Sequence, residues 1–191
     1  AGTNVQYAEG QVTSRAALTP EMKLTVKAVK KAVRFLKKQN AKKINGYYYG
    51  IVHPDCSYDL TEDARWIDAD KYKNPERIYN GEIGEIEGAR FVETTEAKIW
   101  AKAGAAKSTS DTTKIDVYGT LIFGANAYAT TKIEGGGLKT IIKQLGSAGT
   151  GDPLDQRATV GWKALKVTEI LTEAYMIRIE TASTFSDGEA N

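Results

Sequence analysis

The chain has 191 residues, of which 41% are hydrophobic and 26% charged, and its formal net charge is +2. This length suits one domain, or one domain with an annex. The proportion of hydrophobic to charged residues is ordinary for a globular protein. No apolar run approaches the roughly 18 to 20 residues of a membrane-spanning helix, and no charged-then-apolar leader opens the chain. We therefore expect neither a membrane anchor nor a secretion signal.

The start of the chain and its single cysteine set two further expectations. The first residue is Ala1 rather than Met and the first segment is polar, so we expect a processed or truncated piece of a longer polypeptide. Cys56 is the only cysteine and cannot close an intrachain disulfide, so packing must stabilise the fold. The near-neutral charge predicts no bulk attraction to nucleic acid, and any basic surface must be local.

Ala1–Ala17 shows no sustained period, which predicts an extended or poorly ordered lead-in. The longest helix is predicted to start at Thr19, Pro20 and Glu21. Thr can cap a helix, Pro suits its first position, and Glu favours the positive end of the dipole. The turn chemistry of Asn45–Gly46 ends the pattern. The apolar stripe of this helix consists of Met22, Val26, Val29, Val33 and Leu36.

The predicted helix over residues 19–43 is strongly basic, and Glu21 is its only acid. One interpretation is a surface that binds DNA phosphates without sequence preference and with strong salt dependence. The plainer alternative is a solvated helix face whose lysine stems cover apolar neighbours, and both stay open. The residues predicted to face DNA are Lys23, Lys27, Lys30, Arg34, Lys37 and Lys38.

Several short elements are predicted in the middle of the chain. Aromatic and β-branched residues predict a strand over Tyr47–His53, and Asp55 is the predicted cap of a short helix through Ala64. A further helical turn is predicted over Trp66–Tyr72. A loop punctuated by glycines precedes a strand over Ala89–Thr95. The loop glycines are Gly81, Gly84 and Gly88.

The next segment is predicted to alternate loops and strands. Ala101–Thr113 is rich in Ala, Gly, Ser, Thr and Lys, which predicts a mobile surface loop. Asp116–Phe123 is a predicted strand with Ala125–Ile133 as its partner. Leu138–Leu145 alternates weakly, and Gly146–Gly151 predicts a flexible connector.

The last third of the chain is dominated by a β-rich block over Gly151–Ile179. Asp152 and Pro153 predict a turn at its start, because proline denies the preceding residue a helical conformation. Alternation of apolar and polar residues near its end predicts a strand with two different faces. The tail from Thr184 onward is polar and predicted to fray.

No pattern in the sequence supports catalysis. His53 is the only histidine and lies three residues before Cys56, but a zinc site needs three or four protein ligands and no second His or Cys exists. No Gly-x-Ser-x-Gly elbow occurs, and the glycine clusters lack the dinucleotide-binding and phosphate-loop spacings. We therefore expect a protein that is not an enzyme and holds no metal or cofactor.

The tryptophans and two residues of the C-terminal block are candidate anchors of the core or of a subunit interface. For Trp162, flanked by Gly161 and Lys163, core and interface both stay open, and an exposed sugar-binding platform is a third possibility. The candidate anchors are Trp66, Trp100, Trp162, Asp152 and Arg157.

Four segments carry a resemblance to a known family. They are Tyr48–Asp55 with the Tyr-Asp-Leu that follows, Asn80–Thr95, Tyr118–Gly124, and the Asp-Pro-Leu…Gln-Arg…Gly-Trp-Lys run over Asp152–Lys163. In this order they resemble the major capsid proteins of tailed double-stranded-DNA phages, in the N-four-type branch. The resemblance covers roughly Leu18–Glu180.

The resemblance implies the Hong Kong 97-like capsid fold, an α+β chain in which helices pack on a central mixed sheet. It also implies a division of the chain. Residues 1–17 would form an extended lead-in, 18–150 an axial-type domain, 151–183 the C-terminal strands of a peripheral-type domain, and 184–191 a disordered tail.

The function that the resemblance implies is that of a major capsid subunit. Copies of the chain would form pentamers and hexamers of an icosahedral shell enclosing phage or prophage double-stranded DNA, assembled in the bacterial host cytoplasm. The packaged DNA and portal or scaffolding proteins would be further partners, and no membrane would be involved. The alternative function, from the residues alone, is a non-enzymatic nucleic-acid-binding module built on the basic helix over residues 19–43.

Overall fold

The computed structural model describes residues 3–66, 84–131, 136–147, 149–152, 154 and 156–185. The chain forms two compact units, one made of residues 1–127 and 170–191 and the other of residues 128–169. The helices are α1 (Val26–Lys38) and α2 (Pro54–Glu62), with short 3-10 turns at Arg15–Ala17, Gly149–Gly151 and Glu173–Tyr175. The strands are β1 (Val5–Tyr7), β2 (Tyr48–Val52), β3 (Glu85–Ile86), β4 (Ala89–Glu93), β5 (Ile99–Trp100), β6 (Val117–Phe123), β7 (Tyr128–Thr130), β8 (Lys139–Lys143), β9 (Thr159–Lys163), β10 (Thr168–Ile170) and β11 (Met176–Thr181).

The first unit is built on a seven-stranded mixed sheet in the order β1-β11-β6-β2-β4-β3, with β5 paired to β6 outside this path. The pairs β1–β11 and β2–β4 are parallel, and the other pairs are antiparallel. A parallel pair needs a crossover connection, and α2 lies in the connection between β2 and β4. Helix α1 packs on β6 and β11. The predicted α+β class, with helices on a central mixed sheet, is confirmed.

Helix α1 is the longest described helix, as predicted, but it starts later in the chain than the sequence suggested. Thr25 rather than Thr19 is its N-cap, and the Thr25 hydroxyl accepts a hydrogen bond from the Ala28 N–H at 3.2 Å. Residues 19–24 are not helical. The helix starts at Val26 because the Val26 N–H donates to the Asp63 carboxylate at 2.9 Å and Thr25 caps the first turn. The helix ends at Lys38 rather than near residue 43, with Asn40 left-handed at φ 57°. Within the helix, the predicted stripe of Val26, Val29, Val33 and Leu36 is buried.

Helix α2 begins two residues earlier than predicted, at Pro54 instead of Cys56, and its cap is different. His53, not Asp55, is the N-cap, and its Nδ1 accepts a hydrogen bond from the Asp55 N–H at 3.3 Å. Pro54 occupies the first helical position, where its missing N–H costs nothing and its fixed φ suits the helix. Asp55 therefore falls in the first turn, where its charge still favours the positive end of the dipole. The helical turn predicted over Trp66–Tyr72 lies outside the described residues except for its first.

Part of the lead-in, predicted to be extended or poorly ordered, is an extended strand of the main sheet, Val5–Tyr7. Strand β1 runs parallel to β11, with Val5 opposite Arg178. The Ala8 N–H donates to the Glu180 carbonyl at 2.8 Å, and the Gln6 amide donates to the Ala28 carbonyl at 3.0 Å. These hydrogen-bond partners are distant in sequence. Periodicity within the first 17 residues therefore could not predict the pairing.

The predicted pairing of the segment after β6 is also wrong. Strand β7 pairs with β10, not with β6. The physical reason is that both edges of β6 are occupied: β11 pairs along one edge, with Phe123 opposite Met176, and β2 along the other, with Phe123 opposite Tyr49. The chain turns away at Asn126, whose φ is 61°, and the Ala127 carbonyl accepts from the Leu171 N–H at 3.0 Å.

The second unit contains two separate two-stranded sheets, β7 with β10 and β8 with β9. The predicted boundary between residues 150 and 151 falls inside this unit, and the predicted C-terminal block over 151–183 is divided between the units. Strand β11 belongs to the main sheet because Ile177 and Ile179 are buried there with α1. The labels axial-type and peripheral-type remain predictions.

Two segments predicted to be loose are held by hydrogen bonds. In the loop over 101–113, the Ala105 N–H donates to the Leu18 carbonyl at 2.9 Å, and Ala106 forms an isolated bridge with Lys114. At the start of the tail, the Thr184 N–H donates to the Asp59 carboxylate at 3.0 Å. The loop is tethered to the first unit, and so are residues 184–185 of the predicted tail.

A buried carboxylate joins the lead-in to the main sheet. Glu180 on β11 is fully buried, and both of its oxygens accept from the Arg15 guanidinium, at 2.6 Å and 2.8 Å. Arg178 donates to Glu180 at 2.8 Å from the same strand. The hydrogen bonds to Glu180 raise the pKa of Arg15 above its usual value. Such bidentate pairs are stronger than neutral hydrogen bonds, so this ion pair fixes the Arg15–Ala17 turn against the sheet.

Replacing Arg15 with Ala should lower the free energy of unfolding by about 1.5–3 kcal/mol, because two charge-assisted hydrogen bonds to a buried carboxylate are lost. Urea unfolding followed by circular dichroism measures this change. The matched control is Arg34→Ala, which removes an exposed guanidinium from α1 and should leave stability nearly unchanged. Equal effects of the two substitutions would contradict the role given to Arg15.

Candidate assembly surfaces

The polar residues beneath α2 hold that helix on the sheet rather than forming a catalytic site. His53 is buried, and its ring lies 5.3 Å from the ring of Tyr118. Burial, and then a hydrogen bond to Asp55, raises the pKa of Tyr118, which keeps its hydroxyl protonated. The Ser57 hydroxyl is hydrogen-bonded to the Glu93 carboxylate. Among the described residues, Ser57 and His53 therefore do not form the pair that nucleophilic catalysis requires.

Cys56 packs as a small apolar side chain, as predicted. It is fully buried, and its Sγ lies 3.8 Å from the Thr181 Oγ1. Burial raises the pKa of the Cys56 thiol, so the reactive thiolate is disfavoured. Within the described ranges, no group of three or more His, Cys, Asp or Glu side chains could hold a metal ion.

The basic residues of α1 divide into two groups. Lys27 is paired with Glu9 at 2.6 Å and Lys30 with Glu87 at 3.3 Å, so part of their charge is already balanced. The second group is exposed on the C-terminal half of the helix, and no carboxylate of the described residues forms an ion pair with it. Lys23 precedes the helix and is half-buried. The second group consists of Arg34, Lys37 and Lys38.

Trp66 and Trp100 both anchor the first unit. Trp66 is buried, with its ring 6.4 Å from that of Phe91 in an edge-to-face arrangement. Trp100 is half-buried, and the Arg15 guanidinium lies 3.8 Å above its ring. The ring fits because the neighbouring strand has a glycine, Gly119, where a Cβ would come within 2.9 Å of it. Neither side chain is presented freely to a partner.

A groove of about 570 Å³ lies on the face of the sheet away from α1. Its floor is apolar and includes Ile51, Leu121 and the edge of Trp100. Glu96 and Lys98 line it as well, and Arg178 also reaches it. The size lies within the range of clefts that enclose small molecules, about 300–1,000 Å³. The described lining contains no group of metal ligands and no nucleophile paired with a base.

The β8–β9 pair of the second unit has two chemically different faces. Cross-strand partners point to the same face, and the face of Thr140–Trp162 and Ile142–Val160 is apolar. We call these four residues the apolar ribbon face. Trp162 and Val160 are each 75% exposed and Ile142 is 64% exposed, so Trp162 is not buried within the second unit. The opposite face carries Lys139, Lys143, Lys163, Ile141, Thr159 and Gly161, and we call it the basic ribbon face.

The structure brings Asp152 and Arg157 together through the backbone. Asp152 is buried, and its Oδ2 accepts from the Arg157 N–H at 2.6 Å. This hydrogen bond links Asp152 to a residue just before β9, while the Arg157 side chain is exposed. Asp152 therefore holds the backbone just before the strand that carries Trp162. The contact uses the Arg157 backbone and not its guanidinium.

A sequence model of the family described as phage capsid protein matches residues 1–145. The match covers most of the chain and includes α1, α2 and all but the last strand of the main sheet. The chain belongs to the phage capsid protein family.

Solved capsid structures share the fold. The capsid of Ralstonia phage GP4 matches 100% of this chain with a TM-score of 0.68 at 16% sequence identity. The cyanophage Pam1 capsid matches 95% of it with a TM-score of 0.70 at 11% identity. The capsid of Helicobacter pylori bacteriophage KHP30 matches 95% with a TM-score of 0.61 at 13% identity.

The chain spans only part of these relatives. It covers 55% of the Ralstonia phage chain, 55% of the cyanophage chain and 62% of the Helicobacter phage chain. No curated protein matches it. Within the described ranges, no helix is both long enough and apolar enough to cross a membrane.

Trp162 was a predicted anchor, but its neighbours on the apolar ribbon face were not predicted from the sequence. The signal was present in two places: Thr140 and Ile142 alternate with lysines, and Val160 and Trp162 alternate with small or polar residues. Each run is only five residues long, so neither alone identifies a face.

Cys56 should be unreactive toward a thiol reagent at neutral pH in the folded chain, because it is buried and burial raises its pKa. Addition of urea should release one equivalent of reactive thiol, measured by absorbance with Ellman's reagent. A Ser110→Cys variant places a second thiol on the exposed loop and should react at once without urea. Rapid labelling of native Cys56 would contradict its placement.

Proposed function

We propose that the chain is the shell-forming part of a major capsid protein of a tailed double-stranded-DNA phage or prophage, with the Hong Kong 97-like fold. Copies assemble through pentamers and hexamers into an icosahedral capsid. The observation that carries the proposal is the family match over residues 1–145, which coincides with α1 and nearly the whole main sheet. The shared fold of three phage capsids supports it.

The chemistry of the described residues agrees with a structural role. The one histidine is buried as a helix cap, the one cysteine is buried, and the exposed residues with functional potential are lysines and apolar side chains. A shell needs many modest contacts that act at once, and closed symmetry makes the assembly far more stable than any one contact. Catalytic groups are not needed for this function. The comparisons give no support to a free-standing nucleic-acid-binding module.

The partners of the assembled capsid and the place of assembly form part of the same proposal. The packaged DNA would lie against Arg34, Lys37 and Lys38, the exposed basic residues of α1 whose charge is not balanced by a described carboxylate. Portal and scaffolding proteins would bind the assembling shell. Assembly would take place in the bacterial host cytoplasm, and the mature protein would reside in the virion capsid.

Electron microscopy and sedimentation velocity of the purified chain test the shell-forming role. We expect concentration-dependent assembly into rings, sheets or shells with a regular subunit repeat. The same chain held in urea, where the main sheet is unfolded, is the control and should show no assembly. A folded chain that stays monomeric at every accessible concentration would contradict the proposal.

The DNA contact is tested by replacing Arg34, Lys37 and Lys38 together with Gln and measuring DNA binding against salt concentration. Each lost phosphate contact should reduce the salt slope by about 0.9, so the triple variant should lose roughly three units of slope. The control is Lys27→Gln with Lys30→Gln, because both lysines are already paired with carboxylates. Equal slopes for the two variants would reject the assigned DNA face and leave the capsid role intact.

A further inference from the structure

The apolar ribbon face leaves a large apolar surface exposed that no other described part of its own unit covers. Trp162 and Val160 are adjacent on it, and both are three-quarters exposed. A buried Trp removes about 150–250 Å² from water, so this side chain with Ile142 and Val160 approaches the few hundred Å² at which apolar patches on soluble proteins become interaction sites. The surface has the composition of the centre of an interface, where Trp is enriched.

The strand pair that carries this face is poorly supported by its own contacts. Among the described strands, β8 and β9 pair only with each other, over five residues each. An isolated two-stranded ribbon is marginally stable in water. Lys139 and Lys163 are directly opposite each other on the basic ribbon face, which weakens the pairing further. An added partner on the apolar ribbon face would supply the missing packing.

The kind of partner follows from the chemistry of the two faces. DNA would bind the lysines of the basic ribbon face and gain nothing from Ile142, Val160 or Trp162. A membrane-crossing strand needs about 9–11 residues, about twice the length of β8 or β9. The chain belongs to a family of shell proteins, whose function is contact between identical subunits. A second copy of the chain is the partner that fits an apolar patch flanked by charge.

We propose that the apolar ribbon face, with Thr140, Ile142, Val160 and Trp162, is a contact between neighbouring copies of this chain. The inference rests on the proposed shell-forming function and adds to it the surface that holds the copies together. Trp162 is the central anchor of the contact. The basic ribbon face stays outside it, because like-charged lysines would be costly to bury without partners.

The chain offers a matched pair of substitutions on β8. Ile142→Thr places a hydroxyl on the apolar ribbon face, whereas Ile141→Thr makes the same change one residue away on the basic ribbon face. Threonine is β-branched and keeps the strand preference, so both variants should fold alike by circular dichroism. Ile142→Thr should raise the concentration for half-maximal assembly about tenfold, and Ile141→Thr should leave it close to wild type. Equal effects of the two would overturn the inference.

A second matched pair tests the contact without weakening it. Thr140→Cys lies on the apolar ribbon face and Thr159→Cys on the basic ribbon face, and both positions are exposed in the single chain. Thiol labelling should be fast at both positions in dilute monomer, and assembly should slow it at least tenfold only at position 140. Slow labelling at position 140 in the monomer would show that the chain covers its own ribbon, and would overturn the inference.

The outcomes also separate this inference from the proposed function. Assembly of the Thr140→Cys chain with position 140 still open to the reagent would reject the interface and keep the capsid role. A wild-type chain that never assembles would reject both.

Discussion

The junction between the lead-in and β11 completes the main sheet: β1 pairs with β11, and the buried Glu180 carboxylate binds Arg15 beside this pair. Glu180 lies at the centre of it: its side chain is fully buried, its carboxylate accepts from Arg15 and Arg178, and its carbonyl accepts from Ala8. A buried carboxylate without partners would be costly, and Arg15 of the lead-in supplies two of the hydrogen bonds that the Glu180 carboxylate accepts. Strand β11 thereby gains partners on both edges, and α1 gains a complete sheet to pack on.

Local patterns were sufficient to predict the elements whose signal lies within a dozen residues. The α1 stripe, the strand over Tyr48–Val52 and the strand over Val117–Phe123 follow from periodicity and composition. The helix caps were harder, because Thr19 and Thr25 are equally good caps by residue type. The helix start at Thr25 depends on a tertiary contact, because the Val26 N–H donates to the carboxylate of Asp63.

Pairings between distant strands could not be predicted from the same patterns. The β1–β11 pair joins residues more than 170 positions apart, and its three-residue strand has no readable period. The error over β7 has the same origin: adjacency in sequence favoured a pair with β6, but β2 and β11 already occupied both edges. Of the candidate anchors, Trp66 and Trp100 lie in or against the first unit, whereas the exposure of Trp162 became evident only from the β8–β9 register.

The point at which the second unit leaves the main sheet has a further consequence. Residues 128–169 depart just after β6 and return just before β11, and these two strands are antiparallel neighbours with Phe123 opposite Met176. The two chain segments that connect the second unit to the main sheet are therefore held side by side by the backbone hydrogen bonds between β6 and β11. An excursion anchored in this way can lengthen, shorten or exchange its surface without changing any strand pairing of the main sheet. Related shells could thus diverge at this excursion while the scaffold that carries it stays constant.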